Sequence, residues 1–510
     1  MAPNASLATL LADAAARGAD RGGFHHRGVR WTYGDAARRA GALAARLRAA
    51  GAVPGDVVAW LGDNTPGAAL AYFGAAWAGL VLAPLHLRLT DADLRRVLAH
   101  AGAKAVLVEH GGRSRAAALG LPLVALDDPS LDAGGDDAPV PRAAGDAAHV
   151  YYTSGSTGVP KGVVLTHGNV VAHARRAADA LELGPADVWL HAAPMFHLAD
   201  AWATFAVTLV GGTHRFVERF DEVSVLDAFA SGVTTTNLVP TMWNALVRHP
   251  AASGRAYPSL RLLLSGGAAI APDVVRRVRE VFRAEYAQTY GLTETSPYLT
   301  ISRLTPEERS LPDDEQCRRL ARAGRPMRGV EVAVVGDDGR PVPADGATVG
   351  EVVARGPTVT PGYLRNPEAD AAAFRDGWFR TGDLARVFGD GRIDLADRTG
   401  DVVNTGGEKV YSTDVERALA DAPGVRELVV VGTPDPHWGQ VVTAVVVADA
   451  AGASPTLDTL RVHADGRLAD FKRPRRLVLV DALPRTASGK LSKREARTLA
   501  VARLGAAPRP

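Results

Sequence analysis

Short apolar runs recur along the first two-thirds of the chain, each set off from the next by a helical pattern. Residues 57–61 are five consecutive apolar positions after the turn Pro54-Gly55-Asp56, and 80–83 and 105–108 are similar runs with the amphipathic stretch 91–100 between them. A strand that short and with no polar alternation is covered on both faces. Such strands alternating with helices imply a parallel sheet layered with helices, an α/β fold. Residues 127–146 are rich in Asp, Gly, Pro and Ala and read as a connection. The alternation resumes at 150–152 and runs through helices at 170–181, 201–210, 225–230 and 272–282 and strands at 188–191, 234–239 and 262–264.

After about residue 325 the texture changes. Segments 330–335, 350–354, 378–380, 385–388 and 392–395 are strand-like and separated by turn signals such as Asp337-Asp338-Gly339, which predicts a small β subdomain over about 325–397. The remainder, 398–510, reads as a compact α+β unit: helices at 412–421 and 457–467, strands at 425–433, 441–447 and 476–480. At 510 residues the chain is long enough for three or so folding units. The expected division is a large N-terminal domain, 1–397, and a small C-terminal domain, 398–510.

Charge and cysteine content exclude several classes. The one cysteine, Cys317, rules out an intrachain disulfide and a cysteine-based zinc cluster. Residues 1–18 lack a basic segment and a long apolar core, which argues against a secretory signal and for a cytoplasmic protein. Residues 67–85 carry no charge, near the minimum for a membrane span. They are mostly alanine and glycine without flanking basic clusters, so a buried helix and strand is the expectation and a transmembrane segment is not. The 58 basic and 56 acidic residues nearly cancel, but only six of the basic ones are lysine: 104, 161, 409, 472, 490 and 493. A chain that uses arginine this heavily points to its remaining lysines as places where arginine does not serve. Residues 461–510 hold 13 basic side chains against four acidic ones, without interleaved aromatics; that favours a polyanionic small molecule over nucleic acid.

The densest chemical signal is Tyr151-Tyr152-Thr153-Ser154-Gly155-Ser156-Thr157-Gly158-Val159-Pro160-Lys161-Gly162. A strand enters a loop of glycines, hydroxyls and one lysine. Glycines let backbone N–H groups turn toward an anion, hydroxyls add donors, and the lysine adds a compact charge. The loop suits a triphosphate, although Pro160 stands where a Walker loop has its second glycine.

This run resembles the phosphate loop of the adenylate-forming superfamily: acyl- and aryl-CoA synthetases, beetle luciferases and peptide-synthetase adenylation domains. Four further stretches match in order. Tyr290-Gly291-Leu292-Thr293-Glu294-Thr295 is similar to the adenine and magnesium motif. Gly377 through Asp383 is similar to the ribose motif. Asp397-Arg398 through Gly406-Gly407-Glu408-Lys409 is similar to the hinge and the loop after it. Pro484 through Lys490 is similar to the catalytic-lysine motif.

The resemblance implies ATP, Mg2+ and coenzyme A as partners of a small-molecule carboxylic acid. The carboxylate attacks the α-phosphorus of ATP, pyrophosphate leaves, and the acyl-adenylate is then passed to coenzyme A. It implies that Thr153, Ser154, Gly155, Ser156, Thr157, Gly158 and Lys161 hold the β and γ phosphates. Thr293 contacts the α-phosphate, Glu294 binds Mg2+, and Tyr290 and Gly291 take adenine. Asp383 accepts the ribose hydroxyls, Arg398 meets the ribose–phosphate region, and Lys490 carries charge to the reacting oxygens. Residues 397–401 form a hinge, with Gly400 where relatives carry Asp or Lys. Rotation there withdraws Lys490 and brings Gly406 and Gly407 to a pantetheine channel. The acid pocket is outlined by Pro194-Met195-Phe196-His197, 236–239 and Ser265-Gly266-Gly267-Ala268, with His197 as an aromatic gate and Gly266, Gly267 and Ala268 also expected to bind the cofactor. Asp200 is expected to cap the following helix, with contact to a polar substrate group as the other reading.

Three classes of function stay open on the sequence. The first is an AMP-forming acid–CoA ligase. The second passes the activated group to a carrier protein or an amine, or activates nitrite for diazotisation. The third, a non-enzymatic binding module, would be expected to lack Lys490 or Glu294, and both are present. A homodimer is compatible with all three.

Overall fold

The structure is a computed structural model. It describes residues 6–18, 22–135, 138–154, 160–449, 454–485 and 491–506. The chain forms two compact units, 1–332 with 354–379 and 333–353 with 380–510.

The first unit holds two large sheets. In the seven-stranded one, Val57–Leu61 lies between Val81–Pro84 and Val106–Val108, all parallel, with Leu123–Ala125 at one edge. Ala147–Ser154 joins Val81–Pro84 in parallel, then turns back antiparallel as Pro160–Thr166, and Gly362–Tyr363 closes the far edge. The nine-stranded sheet has a parallel centre: Gly23–His26, Thr213–Phe216, Val188–His191, Thr235–Leu238, Leu262–Ser265 and Glu285–Gly291, in that spatial order. Buried Val58, Ala59, Trp60 and Leu61 have no exposed face, as their unbroken apolar run requires.

The uncharged stretch 67–85 is a helix, Pro66–Trp77, with all twelve residues buried, followed by the strand Val81–Pro84. Thr65 caps the helix by accepting from the Ala68 N–H, and Pro66 occupies the first turn, where its missing N–H costs nothing. A helix apolar on every side is buried inside a large protein as readily as in a membrane. No helix among the described residues is long and apolar enough to cross a membrane.

Several elements differ from expectation. Residues 23–31 form a hairpin, Gly23–His26 with Val29–Trp31; Arg27 and Gly28 both take positive φ, as a tight two-residue turn demands. Segments 378–380 and 385–388 are one ten-residue strand, Trp378–Val387. The helix expected to reach 467 ends at His463.

In the second unit, Val425–Asp435 and Gly439–Ala448 form a long hairpin flanked by Val403–Thr405 and Arg476–Leu479. Its alternate residues feed two cores. Val430, Val442, Ala444 and Val446 pack with Val415, Leu419 and Leu460 on one face. Val429, Val431, Val445 and Val447 pack with Ala496 and Ala500 of the last helix on the other. Two covered faces explain why the run Val441–Val447 is nearly all valine and alanine.

Asp200 does not cap the helix Leu198–Val210, whose N-cap is His197. It is fully buried, accepting from Trp189 Nε1 at 3.2 Å and pairing with His191 Nδ1 at 2.7 Å. The network continues from His191 Nε2 to His214 Nδ1 at 3.0 Å and from His214 Nε2 to the Thr208 hydroxyl at 3.1 Å. Burial holds His214 well below the usual histidine range, so it stays neutral. Asp200→Ala leaves two buried N–H groups without an acceptor. The expected cost is about 2–4 kcal/mol, read as a lower midpoint in thermal or urea unfolding, and less for Asp200→Asn.

A half-buried carboxylate behaves differently. Glu109 accepts from the Thr65 hydroxyl at 2.8 and 2.7 Å, and burial pushes its carboxyl up to about 7. The folded state therefore binds a proton that the unfolded state has already released between about pH 4.5 and 7. Stability from this group is present at low pH and lost as pH rises toward 7. Glu109→Gln is expected to raise the unfolding midpoint at pH 8, by an amount on the order of 2–3 kcal/mol, and to add little at pH 5.

Candidate active site

The phosphate-loop segment begins and ends on one hairpin. Thr153 pairs with Lys161, and Ser154 with Pro160, across the antiparallel strands Ala147–Ser154 and Pro160–Thr166. The sequence-predicted ligands Gly155, Ser156, Thr157 and Gly158 lie outside the described residues. Lys161, at the start of the exit strand, places its Nζ 5.2 Å from the centroid of the Tyr363 ring.

Thr293 and Glu294 sit on a short turn after the strand Glu285–Gly291. Gly291 is required by packing: a Cβ there would lie 1.8 Å from the Pro297 carbonyl oxygen. The turn is closed by the Thr295 hydroxyl, which accepts from the Leu292 N–H at 2.9 Å and donates to the Leu292 carbonyl at 3.0 Å. Glu294 is only 9% exposed. Its Oε1 accepts from the Tyr363 hydroxyl at 3.0 Å, and its backbone carbonyl accepts from the Thr360 N–H at 2.8 Å. Tyr290 is buried on the same strand.

The neighbouring strand Leu262–Ser265 ends beside that turn. Thr289 donates to the Ser265 carbonyl at 3.0 Å, and Gln288 Nε2 donates to the Ala268 carbonyl at 2.9 Å. Gly266 is buried, and a Cβ there would lie 2.4 Å from the Thr289 hydroxyl; Gly267 has φ +80°, and Gly267 and Ala268 are exposed. These residues lie past the carboxyl ends of parallel strands, where open α/β sheets bind ligands.

His197 precedes the helix Leu198–Val210 and packs its ring 5.2 Å from His86 and 4.7 Å from Phe196. The segment leading to it is pinned at Met195, whose N–H donates to Asn64 Oδ1 at 2.9 Å and whose carbonyl accepts from the Tyr72 hydroxyl at 2.6 Å.

The second unit carries the remaining candidates. Asp383 and Arg398 face each other across an antiparallel pair, and Arg398 Nε donates to Asp383 Oδ1 at 3.0 Å. Asp383 is 6% exposed while most of the Arg398 side chain is in solvent. Gly406 and Gly407 are the two turn residues of the hairpin Val403–Thr405 and Glu408–Val410; their φ values of 60° and 89° are those of a tight hairpin turn. A Cβ on Gly406 would lie 2.5 Å from the Trp438 ring, while nothing lies within 4 Å of one on Gly407. Asp397, in the expected hinge, accepts from the Ser412 N–H at 2.6 Å and hydroxyl at 2.7 Å. Lys490 lies outside the described residues. Lys493, three residues on, is half-buried among Asp397, Ser412 and Glu416, and the Glu416 and Asp397 carboxylates push its ammonium pKa up against the effect of burial.

The donor set suits a hard cation shared with a ligand. Among the described residues no cluster of three or more His, Cys, Asp or Glu side chains is placed to hold a metal. A single buried carboxylate such as Glu294 fits Mg2+, which keeps its waters and takes its other ligands from phosphate oxygens. The sequence reading missed Tyr363 and Thr360. Pro361-Gly362 reads as an ordinary turn, and nothing local marks the tyrosine after it as a partner of Glu294.

The AMP-binding enzyme family matches residues 11–364, and the AMP-binding enzyme C-terminal domain matches residues 414–490. The chain is 39% identical over 477 residues to a feruloyl-CoA synthase from Amycolatopsis sp, covering 92% of this chain and 94% of that protein. It is 36% identical over 491 residues to a long-chain-fatty-acid–CoA ligase from Thermus thermophilus, covering 92% and 90%. Among solved structures, ATP-bound MatB from Rhodopseudomonas palustris is similar with a TM-score of 0.87 at 30% identity, covering 97% of this chain and 99% of that one.

Proposed function

The chain belongs to the AMP-binding enzyme family, and on that premise we propose that it is an acid–CoA ligase whose acid is aromatic. It activates a carboxylic acid with ATP to an acyl-adenylate, releasing pyrophosphate, and transfers the acyl group to coenzyme A, releasing AMP. A carboxylate is a poor acyl donor because its leaving group is oxide; the adenylate supplies a good one. The phosphoryl transition state spreads negative charge over its oxygens, so the barrier falls where cations and N–H donors are already in place.

The observation that carries this reading is the contact set of Tyr363, which links Lys161 of the phosphate-loop hairpin to Glu294 of the next motif. Two motifs far apart in sequence meet within one unit, with a cation and a buried carboxylate on one aromatic side chain. In the proposed assignment Thr153 to Lys161 hold the β and γ phosphates and Thr293 contacts the α-phosphate. Glu294 would hold Mg2+, which when bound neutralises charge on the triphosphate. Tyr290, Gly291 and Gly266 to Ala268 flank the adenine, and Asp383, paired with Arg398, accepts the ribose hydroxyls. Lys490 steadies the reacting oxygens during adenylation. The portion from Arg398 onward rotates between the half-reactions and brings the Gly406–Gly407 turn to the pantetheine path.

Support for an aromatic acid comes from the 39% relative named for feruloyl-CoA and from the ring cluster of His86, Phe196 and His197. An exposed aromatic substrate ring stacks favourably against such a cluster. A pyrophosphate-release screen over aryl, arylalkenoyl and aliphatic acids is expected to favour cinnamate-type acids over dodecanoate by about tenfold or more in kcat/KM, which is about 1.4 kcal/mol. Equal or better turnover of the aliphatic acids would contradict the aromatic assignment.

The lysine assignment has its own test. Lys490→Ala is expected to lose adenylation by at least two orders of magnitude, roughly the effect of removing a charge-stabilising group. Thioester formation from a supplied acyl-adenylate should stay near the wild-type rate. Equal loss of both half-reactions would contradict a lysine that acts only in the first.

A further inference from the structure

Residues 357–364 run as a strap between the phosphate-loop hairpin and the Glu294 turn. Asn169 Nδ2 donates to the carbonyls of Pro357 and Val359, both at 2.9 Å, and Ser296 donates to the Thr358 carbonyl at 2.7 Å. The Thr360 N–H reaches the Glu294 carbonyl at 2.8 Å. Gly362 and Tyr363 then pair with Val164 and Val163, and the Leu364 N–H donates to the Gly162 carbonyl at 2.7 Å. Asp370 Oδ1 accepts from the Tyr363 N–H at 2.7 Å and lies 2.6 Å from where a Gly362 Cβ would be. Backbone bonds on either side thus leave the Tyr363 ring little freedom.

We propose that Tyr363 is a positioning residue for the adenylation step: its hydroxyl fixes the carboxylate of Glu294, and its ring seats the ammonium of Lys161. Both contacts come from one rigid side chain. The hydroxyl is 3.0 Å from Glu294 Oε1, and the ring centroid is 5.2 Å from Lys161 Nζ. A donor on one carboxylate oxygen sets the plane of the carboxylate, and so the direction its other oxygen offers a cation. An ammonium over the face of a tyrosine is drawn to the negative face of the ring. A change in the ring's position would move the lysine and the carboxylate together.

The proposal rests on the assignment of Lys161 and Glu294 to the triphosphate and its metal, and its test separates the two. Three variants are compared with the wild type: Tyr363→Phe, Tyr363→Leu and Glu294→Gln. The readouts are Mn2+ binding in the presence of a non-hydrolysable ATP analogue, followed by electron paramagnetic resonance, and the Mg2+ dependence of pyrophosphate release. Tyr363→Phe keeps the ring and loses the hydroxyl. It is expected to weaken Mn2+ binding, and to raise the half-saturating Mg2+ concentration, by about tenfold, the scale of one hydrogen bond to a charged group. Its KM for the acid should stay at the wild-type value. Tyr363→Leu should in addition weaken binding of the analogue without metal. Wild-type Mn2+ binding in Tyr363→Phe while Glu294→Gln is impaired would overturn the role of Tyr363 alone. Wild-type Mn2+ binding in Glu294→Gln would overturn the metal assignment beneath it. Tyr363→Phe decides the matter even if Tyr363→Leu does not fold.

Discussion

The pairing of Ala147–Ser154 with Pro160–Thr166 is the constraint on which the rest of the site depends. The first strand is parallel to the buried Val81–Pro84 strand and carries the chain out of the sheet's interior. The second returns antiparallel, so the glycine- and hydroxyl-rich segment must start at Ser154 and end at Pro160. The same return strand offers its free edge to Gly362–Tyr363. That edge pairing brings Tyr363 to Lys161 and, through its hydroxyl, to Glu294. A register slip of one residue along this hairpin would turn Lys161 to the opposite face and break the set of contacts.

Much of this architecture was legible in the sequence, and the reasons are local. The parallel strands betrayed themselves as short apolar runs because both their faces are covered. The helix Pro272–Phe282 was legible from its opening proline and its regular apolar face, and the structure gives those bounds. The strands Glu285–Gly291 and Tyr298–Ser302 were not read. Their sequences, EYAQTYG and YLTIS, bury polar Gln288, Thr289 and Thr300 against partners distant in the chain. The same cause hid the role of Asp200. Its place just before a helix expected at 201–210 suggests a cap, whereas the helix begins at Leu198 and its acceptors are used by Trp189 and His191. Tyr363 belongs to this group: its significance lies in two contacts that no sequence window contains. The candidate ligands themselves were found by resemblance, not by periodicity.

The lysine skew sharpens once side chains are placed. Lys161 stands over the Tyr363 ring, and Lys409 is exposed on the strand after the Gly406–Gly407 turn. Lys472 pairs with Asp414 at 3.4 Å, and Lys493 is half-buried among Asp397, Ser412 and Glu416. Among the described lysines, Lys104 is exposed with no site near it in the assignment. Elsewhere arginine takes the surface and bidentate pairs, as Arg386 does with Asp414 and Arg417 with Asp394. A compact point charge on a flexible stem is thus kept where a single oxygen or ring must be met, and the planar fork where a carboxylate is to be gripped.

The reaction turns on attack on the α-phosphorus of ATP, followed by transfer to coenzyme A. Acid-dependent exchange of labelled pyrophosphate into ATP, measured without coenzyme A and then with it added, tests that order most directly. The account predicts exchange that requires the acid and not coenzyme A, with AMP and a thioester formed once coenzyme A is present. Formation of ADP and inorganic phosphate, or exchange that appears only with coenzyme A, would contradict it.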